Sequence, residues 1–204
     1  MIGIVDYGVG NIQAILNVYD RLNVQACRVR TPSDLNHISR LILPGVGSFD
    51  RAMQLLNQSG LRESLEAIVL LKKVPILGVC VGFQMLASSS EEGIEPGLNW
   101  IPGRVSSFTR DSRFCRMPSP HMGWNCVNLK FDSKLFKGLD DYSSFYFLHS
   151  YFFDCDDKSY VTATSHYSFD FDCAISFDNI HGVQFHPEKS HEFGAKLLLN
   201  FAEF

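Results

Sequence analysis

Several features that mark special classes of protein are missing from this sequence. The longest unbroken aliphatic run covers only residues 67–71, whereas a membrane-spanning helix needs roughly 20 apolar residues. No stretch is dominated by Lys or Arg and the formal net charge is −4, which argues against a nucleic-acid-binding protein. The first residues carry no basic segment followed by an apolar one, so we expect no secretory signal and a cytoplasmic location.

The spacing of the cysteines gives no sign of a metal centre or a disulfide framework. None of the six forms a C-x-x-C pair, and a chain of 204 residues without an export signal has little need of disulfide bonds. We therefore expect free thiols, no metal ion and no other cofactor. The content of 46% hydrophobic residues is ordinary for a globular protein, and the length favours one domain over residues 1–204.

The order of apolar runs in the first half predicts an α/β fold. Runs at 2–6, 24–29, 41–44 and 74–79 are separated by stretches with helical spacing at 12–22, 51–58 and 61–73. Such an order is typical of parallel strands covered by helices on both faces. We therefore expect a three-layer fold with a mostly parallel central sheet.

The second half of the chain changes character after residue 103. Runs rich in β-branched and aromatic residues alternate with short loops of Gly, Asp, Asn and Ser, which predicts antiparallel or mixed strands. These strands are expected at 105–109, 124–129, 145–152, 160–165, 173–177 and 182–185, with a last helix at 191–201. The fold should thus carry a smaller antiparallel portion beside its parallel sheet.

The clearest catalytic signal is the G-x-C-x-G pattern at 78–82, which follows a buried-strand pattern and precedes a helix-like stretch from Phe83. This is the nucleophile-elbow arrangement with cysteine in place of serine. A sharp strand-to-helix turn needs flanking glycines, and it lifts the side chain of Cys80 clear of the sheet. The first amides of the following helix would then face the thiolate. The alternative is a buried structural cysteine between two packing glycines.

His186 is the strongest candidate for the base that a cysteine nucleophile requires. Residues i and i+2 of an extended segment point to the same side, so Glu188 can orient the ring and stabilise an imidazolium. A histidine whose hydrogen bonds are satisfied in a loop or the core is the alternative. Metal binding by His186, Glu188 and His191 is a weaker one, because their spacing is not H-E-x-x-H.

Two glycine-rich turns follow predicted strands. The turn at 8–10 is followed by Gln13, where a dinucleotide-binding fingerprint needs Gly or Ala, which argues against nucleotide binding. The turn at 44–47 lies at the carboxyl end of the third strand, where open α/β sheets bind ligands. It can present a backbone amide to an oxyanion, and an ordinary strand-to-helix turn is the alternative.

Together these motifs resemble the class I glutamine amidotransferase family, and within it the glutaminase subunits that serve a (β/α)8-barrel cyclase in histidine biosynthesis. Order and spacing agree over nearly the whole chain, with the matching motifs at 6–11, 44–47, 78–84, 120–125, 149–151 and 184–190. One departure is Val81, which follows the nucleophile where the family often has Leu. Val still supplies the backbone amide at that position.

The resemblance implies a role for each motif. It implies a catalytic triad of Cys80, His186 and Glu188. It implies an oxyanion hole of backbone amides from Val81, Val46 and Gly47, and glutamine binding by Gly47, Gln84, Ser150 and Tyr151. The loops at 7–11 and 120–125, with Lys189, would face the cyclase in a heterodimer through Asn11, Met122, Trp124, Asn125 and Lys189. Ammonia would pass from Cys80 into the barrel without meeting bulk water.

Three alternatives stay open at the level of sequence. A paralogous branch of the same family, encoded with surface-polysaccharide genes, supplies ammonia to a sugar amidotransferase, and the stretches at 8–12 and 190–194 also resemble that branch. A cysteine peptidase on the same scaffold shares the elbow but gives no reason for Gln84 and the motifs at 120–125 and 149–151. A catalytically silent subunit that only regulates a partner is disfavoured by the intact triad.

Overall fold

The computed structural model describes residues 1–115, 117–130 and 133–204. The strands within these residues are β1 (Ile2–Val5), β2 (Ala26–Val29), β3 (Arg40–Gly45), β4 (Ile76–Cys80), β5 (Gly103–Ser107), β6 (His121–Cys126), β7 (Asn128–Leu129), β8 (Ser144–His149), β9 (Tyr151–Cys155), β10 (Val161–Tyr167), β11 (Phe169–Phe177) and β12 (Ile180–Val183). The α-helices are α1 (Ile12–Arg21), α2 (Phe49–Gln58), α3 (Arg62–Glu66), α4 (Val81–Gln84) and α5 (His191–Ala202). Short 3-10 helices lie at Pro32–His37, Lys134–Phe136, Lys158–Tyr160 and Pro187–Lys189.

A parallel sheet of five strands forms the centre of the molecule, in the order β2-β1-β3-β4-β12. Every residue of β1, β4 and β12 is buried, which is what a strand covered on both faces requires. Helices α1 and α5 pack against each other beside this sheet. The predicted α/β fold with a mostly parallel central sheet is confirmed.

The antiparallel portion continues the same sheet from β12 through β11, β10 and β7, and strands β9 and β5 branch from β11. Strands β6 and β8 form a separate two-stranded antiparallel sheet, named the ribbon below. A cluster of aromatic rings fills the space around Phe108, Phe147 and Phe171. None of the helices in the described part of the chain is both long and apolar enough for a membrane span.

Four local predictions differ from the structure. The run predicted as one strand at 145–152 is two strands, because β8 pairs with β6 whereas β9 pairs with β5, so the chain changes sheets at Ser150. The motif at 120–125, predicted as a loop, is mostly strand β6, since pairing with β8 outweighs the low strand propensity of Gly123. The helix predicted at 61–73 is α3 followed by a π-helical turn at Ala67–Leu71. The helix after Cys80 begins at Val81 and has a single turn.

Candidate active site

Cys80 ends the central strand β4 in a strained backbone conformation, with φ 56° and ψ −113°. Its two flanking glycines allow the chain to turn there. A Cβ atom on Gly82 would collide with the carbonyl oxygen of Leu43, and one on Gly78 would lie 2.7 Å from the Cα atom of Phe83. The predicted elbow is therefore present, and its geometry depends on backbone packed too closely for any side chain.

The loop after β3 lies directly beside the elbow, because Gly45 is the register partner of Cys80. A cavity of about 450 Å³ opens at this edge of the sheet, and Cys80, Val46, Gly47 and Val81 all line it. Gly47 has a φ of 86°, a conformation that favours glycine. The three residues predicted to form the oxyanion hole thus share one cavity with the candidate nucleophile.

His186 and Glu188 meet beside Cys80, as the i, i+2 spacing predicts. The Nδ1 atom of His186 donates to the Oε1 atom of Glu188 over 2.9 Å, and both side chains are buried. Burial alone would lower the pKa of His186. The hydrogen bonds and charges of Cys80 and Glu188 outweigh that effect and raise the pKa to about 10. A positively charged ring between a sulfur and a carboxylate is the arrangement that favours a thiolate nucleophile.

The residues predicted to hold glutamine converge on the same cavity. Gly47, Gln84, Ser150 and Tyr151 all line it. Both hydrogens of the Gln84 amide nitrogen are used within the protein, since Nε2 lies 3.0 Å from the carbonyl oxygen of Tyr151 and 3.0 Å from Oε1 of Gln184. The amide oxygen is therefore the atom that Gln84 can offer to a bound molecule.

Glu92 also lines the cavity, although the sequence analysis did not single it out. One of its oxygens, Oε2, accepts the backbone N–H of Phe49 at 2.8 Å, at the start of α2. Partial burial raises the pKa of Glu92, because the carboxylate is less hydrated there than in open water. Such a carboxylate is suited to bind an ammonium group.

The residues predicted to face a partner divide into two groups. Met122 and Trp124 project from the ribbon with 66% and 48% of their surface exposed. Asn125 and Asn11 make internal contacts instead: Asn125 donates to the carbonyl oxygen of His166, and Asn11 donates to Oε1 of Glu188 over 3.4 Å. Lys189 lines the cavity, and its amine lies 5.5 Å from the ring centre of Tyr146.

The groups considered for metal or disulfide chemistry are arranged for neither in the described residues. Across the described residues, no three His, Cys, Asp or Glu side chains are grouped as metal ligands would be. The ring of His191, considered with His186 and Glu188, stacks on Trp124 with centres 5.1 Å apart. The six cysteines are free thiols in the structure.

A comparison with protein families matches residues 3–203 to the model described as glutamine amidotransferase class-I. The chain belongs to this family. As a class I glutamine amidotransferase it is an enzyme, so the predicted family and enzyme class are confirmed. The match extends over both the parallel and the antiparallel portions of the sheet.

Relatives with assigned names resemble this class I amidotransferase over their full lengths. A protein named imidazole glycerol phosphate synthase subunit HisH, from Bdellovibrio bacteriovorus, is 54% identical over 203 residues, covering 100% of both chains. One with the same name from Leptospira borgpetersenii is 50% identical over 99% of both chains. A crystal structure of a protein described as glutamine amidotransferase has a TM-score of 0.73 at 18% identity, with 100% of this chain and 99% of that chain covered. This last likeness supports the fold.

Two residues at the site of this amidotransferase were missed by sequence reasoning. Glu92 sits in a loop with no motif, and only its position against α2 brings it to the cavity. Gln184 belongs to the motif at 184–190, although no role for it follows from that motif alone. Its side chain is fully buried and its Nε2 atom lies 3.9 Å from the sulfur of Cys80. The i, i+2 spacing from Gln184 to His186 was the available signal for this placement.

Proposed function

We propose that this chain is the glutaminase subunit of imidazole glycerol phosphate synthase. It hydrolyses glutamine to glutamate and ammonia and delivers the ammonia to a (β/α)8-barrel cyclase, which makes imidazole glycerol phosphate and AICAR in histidine biosynthesis. The observation that carries this proposal is the buried arrangement of Cys80, His186 and Glu188 at the end of β4. The names of the full-length relatives support the choice of pathway.

Catalysis begins at the sulfur of Cys80. The thiolate attacks the side-chain amide carbon of glutamine, and His186 gives a proton to the leaving nitrogen, so ammonia departs and a glutamyl thioester forms. His186 then takes a proton from water, which attacks the thioester and releases glutamate and the thiolate. Backbone amides of Val81, Val46 and Gly47 would stabilise the oxyanion of each step, by about 2.7 to 4 kcal/mol for each donor. Glu188 holds the ring of His186.

Substrate binding uses the cavity that contains Cys80. The carboxylate of Glu92 binds the α-ammonium group of glutamine, which compensates for the hydration that Glu92 has lost. Gln84 offers its amide oxygen, since both of its N–H groups are occupied. Gly47, Ser150 and Tyr151 complete the wall of the cavity beside the substrate.

The face that carries Met122 and Trp124 is the proposed docking surface for the cyclase, together with Asn11, Asn125 and Lys189. Exposed Met and Trp side chains are suited to the centre of an interface, and Lys189 connects that face with the cavity. Docking there would keep water away from Cys80 while ammonia leaves. We infer that residues 1–204 act as one domain, because one sheet joins β2 to β7. The cytoplasmic location stays a prediction.

Replacing Cys80 with Ala tests the function through the source of nitrogen. The complex reconstituted with the cyclase should lose glutamine-dependent formation of imidazole glycerol phosphate. It should keep ammonium-dependent formation at raised pH, where NH3 is abundant, because the acceptor chemistry belongs to the partner. Steady-state turnover with each nitrogen source, for wild type and Cys80→Ala, is the measurement, and gel filtration checks that the complex still assembles.

Two results would count against this function. If both activities fall together in an assembled Cys80→Ala complex, Cys80 is not a dedicated glutaminase nucleophile. If the wild-type chain hydrolyses glutamine but does not restore growth to a histidine auxotroph that lacks its own glutaminase subunit, the acceptor lies elsewhere. Supply of ammonia to a sugar amidotransferase is then the pathway to test.

A further inference from the structure

A chain of buried side-chain amides connects the glutamine cavity with the nucleophile. Gln84 donates from Nε2 to the carbonyl oxygen of Tyr151 and to Oε1 of Gln184, in both cases over 3.0 Å. The Nε2 atom of Gln184 in turn lies 3.9 Å from the sulfur of Cys80. Both glutamine side chains are buried, so these contacts are shielded from water. The last link touches the reacting atom.

The direction of this chain is fixed at its far end by a group that can only accept. The carbonyl oxygen of Tyr151 accepts from Gln84 and also from Nδ1 of His149, at 2.8 Å. Gln84 must therefore turn its nitrogen towards Tyr151, and its second N–H then requires the oxygen of Gln184. It follows that the nitrogen of Gln184, and not its oxygen, faces the sulfur of Cys80.

Two neighbouring histidines hold the Tyr151 end of the chain in place. The Nε2 atom of His149 lies 2.9 Å from Nδ1 of His121, directly across the ribbon. Burial lowers the pKa of His149 to about 3 and that of His121 to about 4, so both rings are neutral at neutral pH. Because Nδ1 of neutral His149 carries the hydrogen given to Tyr151, its Nε2 accepts from His121. The pair thus has one consistent donor–acceptor direction.

We propose that Gln184 is a further catalytic residue of the glutaminase, whose side-chain N–H stabilises the Cys80 thiolate. Gln84 and His149 are positioning residues that keep this donor aimed at the sulfur. The inference rests on the proposed function and deepens it. A neutral donor at the sulfur favours the charged form of a thiol before attack. It does so again when the thiolate is released from the thioester.

The carbonyl oxygen of Leu148 gives the sulfur a second, opposing contact at 4.0 Å. Only the protonated thiol can donate to it, whereas the N–H of Gln184 binds the thiolate more strongly than the thiol. Cys80 therefore has one partner for each protonation state. Removing the Gln184 donor leaves the partner that favours the thiol, so the thiol should become harder to ionise.

A test of Gln184 must leave the charges of the other ionisable groups near Cys80 unchanged. His186 lies against the sulfur with Glu188 behind it, and Glu92 and Lys189 line the same cavity. Tyr7 is buried, its hydroxyl donates to the carbonyl oxygen of Pro44, and burial raises its pKa well above neutrality. Gln184 carries no charge, so its replacement by an apolar residue removes a hydrogen bond without changing these charges.

The test compares Gln184→Met with the wild-type chain by following alkylation of Cys80 with iodoacetamide as pH is raised. Peptide mass spectrometry isolates the Cys80 signal, because Cys115 and Cys126 are exposed and also react. We expect the midpoint of the alkylation curve to rise by about one pH unit, the shift for loss of one hydrogen bond to a charged group. The glutaminase kcat at neutral pH should fall about tenfold for the same loss.

Asn200→Leu is the matched control. Asn200 is a buried amide that donates to the carbonyl oxygens of Leu135 and Lys137, and it has no contact with Cys80 among the described residues. This variant loses hydrogen bonds of the same kind, so it should destabilise the fold and leave the Cys80 midpoint unchanged. An equal shift in Asn200→Leu would overturn the inference, because the effect would then be general.

A second variant keeps the test informative if Gln184→Met does not fold. Gln84→Met keeps Gln184 but removes the hydrogen bond that fixes the orientation of its amide. The N–H of Gln184 then faces the sulfur for only part of the time, so a smaller upward shift of the Cys80 midpoint is expected. An unmoved midpoint in a folded variant, with an active wild-type enzyme, overturns the role of Gln184 and leaves the proposed function intact. If the Cys80 midpoint shifts in Gln184→Met but the wild-type chain does not hydrolyse glutamine, the proposed function is overturned.

Discussion

The carboxylate of Glu92 stands at the wall of the cavity, whereas that of Glu188 is turned towards His186. Replacing Glu92 with Gln keeps its size and removes its charge. We expect the KM for glutamine to rise about tenfold or more, because a charge-assisted hydrogen bond to the α-ammonium group is lost, while kcat changes little. Steady-state kinetics of the reconstituted complex provides the measurement.

Glu95→Gln is the matched control for this change. Glu95 lies three residues further along the same loop and accepts a hydrogen bond from Gln54 on the surface, outside the walls of the cavity. Its replacement should leave KM unchanged. A fall in kcat for Glu92→Gln with KM unaltered would mean that Glu92 does not hold the substrate.

At the scale of residues, sequence reasoning placed the groups whose geometry is local. The elbow at Cys80 is built by adjacent residues, and the pairing of His186 with Glu188 follows from their i, i+2 spacing. Glu92 was not predictable in this way, because it reaches the cavity only through contacts between its loop and α2, where Asp50 accepts the backbone N–H of Ile94. Such contacts leave no periodic pattern in the sequence.

Among the elements, the ribbon carries different chemistry on its two faces. Met122 and Trp124 point outward, whereas His121 and His149 are buried on the inner face next to Tyr151. This follows from the alternation of side chains along a strand. The proposed docking surface is therefore the outer face of the ribbon, where Leu148, the register partner of Met122, also lines the cavity, while His149 lines it from the inner face.

The two tryptophans of the chain allow a direct test of the outer face of the ribbon. Trp124 is half exposed, while Trp100 is 5% exposed and lies in the core. Trp124→Ala should weaken binding of the cyclase by about 2 kcal/mol or more, as the loss of an interface anchor does, with a small change in melting temperature. Calorimetric titration with the cyclase and thermal unfolding of the free chain measure the two effects.

Trp100→Ala is the control, and it should lower the stability of the fold by about 3 to 5 kcal/mol through the cavity that it leaves. If Trp124→Ala instead destabilises the free chain as strongly as Trp100→Ala does, the side chain serves folding and the proposed docking surface is wrong. The stacking of Trp124 on His191 would then be the contact through which Trp124 stabilises the fold.

The strands of the first half followed their apolar patterns closely, whereas two segments of the second half, at 120–125 and 145–152, did not. Strands β8 and β9 were predicted as one run because nothing in the apolar pattern at 145–152 marks the point where the chain leaves one sheet for another. The start of β6 and its pairing with β8 were not predicted for a related reason. Pairing between β6 and β8 joins segments 18 residues or more apart in the sequence, and Gly123 weakens the local strand signal.

In the part of the molecule that the structure describes, three histidines with lowered pKa values are buried: His121, His149 and His181. Burial lowers their pKa values to about 4, 3 and 4, below the unfolded value of 6.5. Between these limits the unfolded chain binds more protons, so the free energy of unfolding should fall as pH drops from about 6.5 towards 4. His186 has the opposite effect, because its pKa is raised in the folded state. Its contribution to stability is fully present below pH 6.5 and is lost as pH rises from 6.5 towards 10.

His181 is the best of the three for a test, because it lies away from the cavity and its Nδ1 atom bonds only the hydroxyl of Ser176 within the described chain. His181→Gln should reduce the acid slope by up to about 1.4 kcal/mol per pH unit, one proton's share. Urea unfolding at a series of pH values measures this slope. The exposed His37→Gln variant is the control, and an equal reduction in both would contradict the assignment.

The position of β12 in the sheet sets the order in which the molecule can be assembled during synthesis. This strand is the last of the described strands to be made, yet it lies at the middle of the sheet and joins the parallel strand β4 to the antiparallel strand β11. Until Ile180–Val183 have been made, β4 and β11 lack the strand that pairs with both of them, so neither of these facing edges can be covered. His186 follows three residues after β12, so the site cannot be complete before the strand that joins the two halves of the sheet has been made.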